Sequence, residues 1–90
     1  MLYLYGVIFM AQYTYKTSGT CSKEIIFEVE DGIVTSVTFV GGCPGNTKGV
    51  ATLCKGRPVN ELITLLEGIK CGPRPTSCPD QLAKALKQAL

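Results

Sequence analysis

The first half of the chain alternates apolar with polar residues, at the period of two that is typical of half-buried β-strands. The alternation covers residues 13–17, 25–30 and 33–40. Asp31-Gly32 lies between the last two segments, and this dipeptide is a strong signal for a tight hairpin turn. The pattern therefore predicts an antiparallel meander of three strands with one solvent-exposed face. On the third strand, one face is expected to carry the polar Thr35 together with three apolar residues, Ile33, Val37 and Phe39.

The second half of the chain changes to the 3.6-residue period of amphipathic helices. One helix is expected over residues 46–54, a second over 58–68 and a third from about residue 79 to the end of the chain. Residues 69–76 are too rich in Gly and Pro for regular structure. We therefore predict an α+β fold in which about three helices pack on one face of the sheet. The residues expected on the outer face of the third helix are Gln81, Lys84, Lys87 and Gln88.

The first nine residues, MLYLYGVIF, are apolar and uncharged. This segment is about half as long as a membrane-spanning helix. It also lacks the positively charged start of a secretory signal. We interpret residues 1–9 as an apolar extension, with an added strand as the alternative, and residues 10–90 as a single domain. If residues 1–9 are an extension, Met10 is the expected start of translation, and the sequence leaves the choice between Met1 and Met10 open.

Composition and charge narrow the possible functions. Of the 90 residues, 46% are hydrophobic and 18% are charged, which is typical of a globular domain rather than a disordered chain. The net charge is only +2 and the basic residues form no run, so direct binding to nucleic acid is disfavoured. Five cysteines, an odd number, without an export signal argue against a disulfide framework and favour a reducing, cytoplasmic compartment.

The cysteines carry the candidate chemistry. Cys43 and Cys78 stand at predicted helix starts, where backbone N–H groups and the helix dipole favour a thiolate, and Cys21 lies in a turn before the second strand. The chain contains no histidine, which removes the usual partner of a catalytic cysteine and leaves thiolates as metal ligands, a set that suits zinc or an iron–sulfur cluster. Cys54 lies on the apolar face of a predicted helix and is expected in the core. Cys71, in the Gly- and Pro-rich loop, is undecided.

Two further motifs have structural interpretations. Ser77 and Asp80 have the spacing of a capping box at the start of the third helix. The glycine-rich stretch before the first helix lacks the GxxxxGK[ST] pattern, because Lys48 is followed by Gly49, and phosphate binding is disfavoured.

Residues 68–83, GIKCGPRPTSCPDQLA, together with residues 42–46, GCPGN, resemble the TSCPD domain family, whose five-letter motif is intact at 76–80. The resemblance extends over residues 13–90. The family includes small stand-alone proteins and a domain at the C-terminus of adenosylcobalamin-dependent ribonucleotide reductases. It therefore implies a link to deoxynucleotide synthesis, with a reductase or another redox protein as partner. A chain of 90 residues is too small to hold the reductase's own catalytic machinery beside a core, so an accessory is implied.

The order of the elements is also similar to that of U-type iron–sulfur cluster scaffolds, in which three cysteines hold the cluster. The chain departs from that family at Lys23, where the scaffold has an acidic residue, and at Ser77, where it has a histidine. This resemblance implies a cysteine cluster at one end of the sheet, with Cys71 as the candidate fourth ligand. The three cysteines that match by order and context are Cys21, Cys43 and Cys78.

We therefore expect a small cysteine-rich protein that binds zinc or an iron–sulfur cluster at these positions and assists ribonucleotide reduction. One alternative is a redox protein that exchanges disulfides, with Cys71 and Cys78 as the expected pair. The other is a structural interaction module whose cysteines pack against the sheet. None of these functions requires a membrane or direct contact with nucleic acid.

Overall fold

The computed structural model describes residues 10–20, 22–42 and 44–90; the predicted extension, residues 1–9, lies outside them. Over these described residues the predicted α+β fold is confirmed: three antiparallel strands, paired in chain order, are followed by three helices. The helices are followed by a short 3-10 turn at Lys87–Ala89. The strands are β1 (Met10–Lys16), β2 (Ser22–Glu30) and β3 (Ile33–Gly41), and the helices are α1 (Pro44–Cys54), α2 (Val59–Leu66) and α3 (Cys78–Leu86).

The hairpin between β2 and β3 turns at Asp31-Gly32, as the sequence predicted. Glu30 pairs with Ile33, so the loop contains only these two residues. Asp31 has a φ angle of 55° and Gly32 of 79°. Two consecutive positive φ angles are typical of the type I′ turn, whose twist suits a two-residue hairpin.

A bulge in β3 changes which of its residues face the core. Val29 pairs with Val34 and Glu28 pairs with Ser36, so Thr35 is an extra residue in this strand. Val34 and Val37 are both buried although they are three positions apart. The prediction that Ile33 shares the buried face with Val37 is therefore wrong, because the extra residue shifts the alternation by one position.

The core lies between the sheet and the helices. Helix α1 packs against β3, and α2 packs against α3. On β1, the ring of Tyr13 stacks on that of Phe27 with 5.0 Å between the ring centroids. No helix within the described parts of the chain is long and apolar enough to cross a membrane. The fully buried side chains of the core include Ile25, Phe27, Val34, Leu82 and Leu86.

Cys54 belongs to this core, as the helical pattern predicted, with 2% of its surface exposed. Burial raises the pKa of its thiol to about 11, and the nearby charge of Arg57 lowers it only in part. The thiol is therefore protonated at neutral pH, and we expect it to resist thiol reagents until the protein unfolds.

Replacing Cys54 with Ala should lower the free energy of unfolding by about 1 kcal/mol, because the change removes a buried sulfur atom. Cys71→Ala is the matched control, since Cys71 is an exposed loop residue. It should change the free energy by no more than about 0.5 kcal/mol. Both values are measured by urea denaturation with a chelator present. Equal losses in the two variants would contradict the core position of Cys54.

Candidate functional site

Two of the predicted site cysteines, Cys71 and Cys78, line the same cavity. The cavity has a volume of about 310 Å³ and lies near the end of the sheet where β2 begins. Its other lining residues come from the turn before β2, from α1 and from the segment that leads into α3. These are Thr20, Asn46, Arg74, Thr76, Ser77 and Pro79.

Cys78 is the first residue of α3, and its side chain is buried against the start of β2. Its Sγ donates a hydrogen bond of 3.3 Å to Oγ of Ser22. The same oxygen lies 2.9 Å from the hydroxyl of Thr20. The buried thiol is therefore connected, through the hydroxyl of Ser22, to Thr20, another residue that lines the cavity.

The other two predicted cysteines, Cys21 and Cys43, lie outside the described residues. Their described neighbours in the chain lie at or beside Ser22, the residue that bonds to Cys78. Thr20 and Ser22, which flank position 21, form the hydrogen-bonded chain to the thiol. Gly42, which precedes position 43, lies so close to Ser22 that a Cβ atom added to the glycine would be 3.3 Å from the serine Cβ.

Cys71 is exposed on the loop between α2 and α3. Its carbonyl oxygen accepts a 3.0 Å hydrogen bond from the N–H of Arg74, which closes a turn, and its own N–H donates to the carbonyl of Thr76 at 3.2 Å. Gly72 within this turn has a φ angle of 57°. These bonds fold the loop back toward the start of α3, so that Cys71 lies on the wall of the cavity that contains Cys78.

The carboxylate of Asp80 holds both ends of this loop. It accepts hydrogen bonds from the N–H of Gly68 at 2.7 Å, from the hydroxyl of Thr76, and from the ammonium group of Lys84 at 3.0 Å. Burial by itself would raise the pKa of Asp80, but these three hydrogen bonds outweigh it and hold the pKa at about 2. The hydrogen bond to Asp80 in turn raises the pKa of Lys84. Asp80 is thus a charged structural residue at neutral pH.

Ser77 is the N-cap of α3. Its Oγ accepts a 3.1 Å hydrogen bond from the backbone N–H of Asp80 and donates one of 2.6 Å to the carbonyl of Ile69. An N-cap of this kind satisfies one of the otherwise unpaired N–H groups at a helix start. The hydrogen bond to Ile69 also attaches the beginning of the Cys71 loop to the start of α3.

Gln81 is buried, so its predicted position on the outer face of the third helix is wrong. Its side-chain N–H donates to the hydroxyl of Thr76 at 3.0 Å, and its side-chain oxygen accepts from the backbone N–H of Ser18 at 3.1 Å. Gln81 therefore connects the start of α3 to the turn between β1 and β2. The helical period gave no sign of this, because the partner on that turn is 63 positions away in the chain.

The motif at residues 76–80 lies in the part of the chain that matches a known protein family. The TSCPD domain model matches residues 10–90. The chain belongs to the TSCPD domain family. No curated protein and no solved structure matches it.

In this TSCPD domain the polar side chains of the motif are buried and bonded within the protein, which leaves thiols as the reactive groups of the cavity. Every buried side-chain nitrogen or oxygen among the described residues has a hydrogen-bond partner. Within residues 10–20, 22–42 and 44–90, no cluster of three or more Cys, Asp or Glu side chains is placed to hold a metal ion. The described part of the site thus contributes two thiols, one exposed and one buried.

Proposed function

We propose that this TSCPD domain binds zinc or an iron–sulfur cluster through thiolates, with Cys71 as the fourth ligand. The observation that carries the proposal is the cavity shared by Cys71 and Cys78. Thr20, the chain neighbour of Cys21, also lines this cavity, and Gly42, the chain neighbour of Cys43, packs against Ser22, which bonds to Cys78. Four thiolates form a common ligand set of structural zinc sites and of iron–sulfur clusters. The other three proposed ligands are Cys21, Cys43 and Cys78.

The chemistry of the described cavity supports this choice of metal. The cavity is lined by thiols, hydroxyls, an amide and the guanidinium group of Arg74. The nearby carboxylate of Asp80 is already occupied by three hydrogen-bond donors. Thiolates favour zinc and iron–sulfur clusters, whereas magnesium and calcium require oxygen ligands. The four cysteines belong to separate segments of the chain, so a bound metal would cross-link them and stabilise the fold.

Elemental analysis tests the proposal. Protein purified without oxygen or chelator should contain about one zinc ion per chain, or iron together with acid-labile sulfide. Cys78→Ser should reduce the metal content strongly, because it removes one of the four proposed thiolate ligands. Cys54→Ser is the matched control and should keep the metal, since Cys54 lies in the core. A wild-type protein free of metal would overturn the proposal.

A second candidate function is thiol–disulfide exchange, which the unequal exposure of Cys71 and Cys78 favours. The exposed Cys71 thiolate would attack a disulfide of a partner protein, and one partner sulfur would leave as a thiol. Cys78 would then attack the mixed disulfide, so that the Cys71–Cys78 disulfide forms and the partner's second thiol is released. Two thiols are oxidised and one disulfide is reduced. The metal-free protein should then form one rapid disulfide that is lost in Cys71→Ser; slow, unspecific oxidation would exclude this function.

The resemblance to domains at the C-terminus of adenosylcobalamin-dependent ribonucleotide reductases supports a role beside such an enzyme. We propose that the domain is an accessory in ribonucleotide reduction and deoxynucleotide synthesis, with the reductase or another redox protein as its partner. Its metal would then shape a docking surface, or its dithiol would carry reducing equivalents. The turnover rate of a reductase tests this role when it is measured with added wild-type domain, with added Cys78→Ser domain and without the domain. Only the wild-type domain should raise the rate. A rate that is the same with and without the wild-type domain would contradict the role.

A further inference from the structure

The hydroxyl group of Ser22 lies between the thiol of Cys78 and the hydroxyl of Thr20, two residues that line the cavity. Its oxygen accepts a hydrogen bond from the Cys78 sulfur at 3.3 Å and lies 2.9 Å from the hydroxyl of Thr20, which lines the cavity. Ser22 is itself buried, with 5% of its surface exposed. A buried hydroxyl with two such neighbours forms the middle of a short hydrogen-bonded chain.

The backbone fixes the position of this hydroxyl. The carbonyl oxygen of Ser22 accepts a 2.6 Å hydrogen bond from the hydroxyl of Thr17. On the neighbouring strand Ser22 pairs with Gly41, and Lys23 is an extra residue that forms a bulge beside this pair. Gly42 packs against the Cβ of Ser22, where any larger residue would be crowded. Bulges commonly redirect a side chain at the end of a sheet, and here the redirected side chain faces Cys78.

We propose that Ser22 is a positioning residue for the Cys78 ligand and donates a hydrogen bond to its sulfur when that sulfur is a metal-bound thiolate. This inference rests on the proposed metal-binding function. A hydroxyl carries one donor hydrogen and two acceptor lone pairs, so Ser22 accepts from the neutral thiol and donates to the thiolate after a rotation of its O–H bond. When Ser22 donates to the thiolate, the hydroxyl of Thr20 can donate a hydrogen bond to the Ser22 oxygen, which lies 2.9 Å away. Hydrogen bonds of this kind orient a metal ligand and withdraw electron density from it.

Cobalt(II) substitution tests the inference, because the thiolate-to-cobalt charge-transfer absorption reports on the sulfur atoms directly. Ser22→Ala should weaken cobalt binding by about tenfold, the lower end of the effect expected for a group that supports a metal ligand. The absorption band should move to longer wavelength, since a sulfur without its hydrogen bond donates electrons more readily. Ser36→Ala is the matched control: it removes a hydroxyl from β3, opposite Glu28, and should change neither affinity nor spectrum.

A second pair of variants keeps the test decisive if Ser22→Ala does not fold. Thr20→Val removes the hydroxyl behind Ser22 with little change of shape, and should move the band in the same direction by a smaller amount. Thr20→Ser retains the hydroxyl and should keep the wild-type band. If wild-type protein binds no cobalt, the proposed function itself fails. If wild-type protein binds cobalt, an unchanged band and affinity in Ser22→Ala refute the role of Ser22. Where Ser22→Ala is unfolded, an unchanged band and affinity in Thr20→Val refute it.

Discussion

Replacing Asp80 with Asn should lower the free energy of unfolding by about 3 kcal/mol at neutral pH, which is the upper end of the cost of leaving a buried polar group without its hydrogen-bond partner. Three donors converge on this carboxylate, and they come from Gly68, Thr76 and Lys84. An amide presents one oxygen and one NH₂ group, so at least one donor would face another donor. We expect the base of the Cys71 loop to loosen as a result.

Urea denaturation of the metal-free proteins measures this loss. Asp31→Asn is the matched control, because it removes the same charge from the exposed hairpin turn, where Asn tolerates the positive φ angle of 55°. The control should change the free energy by about 0.5 kcal/mol or less. A similar small change in Asp80→Asn would show that the network does not depend on the charge. The Cys78 thiol should also react faster with alkylating reagents in Asp80→Asn than in the control.

Acidification should remove about 2 kcal/mol of stability through Asp80 alone. The ordinary pKa of an Asp carboxyl is 3.8, and in the folded protein that of Asp80 is about 2. Because the folded pKa is the lower of the two, the unfolded chain binds the proton first as the pH falls. The contribution is therefore complete above about pH 5 and is lost as the pH falls through 4 toward 2.

The difference in unfolding free energy between wild type and Asp80→Asn isolates this contribution, since the other carboxyl groups titrate in both proteins. We expect the difference to be largest at neutral pH and to shrink by about 2 kcal/mol near pH 2. Denaturation series at several pH values give the curve. A difference that stays constant over this range would mean that the Asp80 pKa is not lowered by folding.

Much of the fold was predictable because local signals agree with it. The period-two alternation, the Asp31-Gly32 turn and the change to a helical period each depend on residues close in the chain. The bulge at Thr35 was not predictable in this way. An extra residue in one strand is defined by its partner strand, and the sequence of 33–40 alternates well enough without it.

The sequence predicted which residue types could form the candidate site, but it did not predict the side chains that surround Cys78. Residue type and helix starts singled out Cys78 as a candidate, and the absence of histidine limited the candidate metal ligands to thiols. Ser22 carried no comparable signal beyond its place next to a cysteine, because its contact with Cys78 joins residues 56 positions apart. Gln81 was assigned to the surface for the same reason, since a polar residue on a helix is buried only when distant groups satisfy it.

Asp80 binds residues on both sides of the loop that carries Cys71, and this has a consequence for how the loop can vary. Gly68 and Thr76 are held together at the base whatever lies between them. The entropy of closing a flexible loop rises slowly with its length, by about 0.6 kcal/mol for each doubling. Insertions between residues 69 and 75 should therefore leave the entry into α3 intact. The segment around Cys71 can therefore change in length and sequence while the fold that holds Cys78 stays the same.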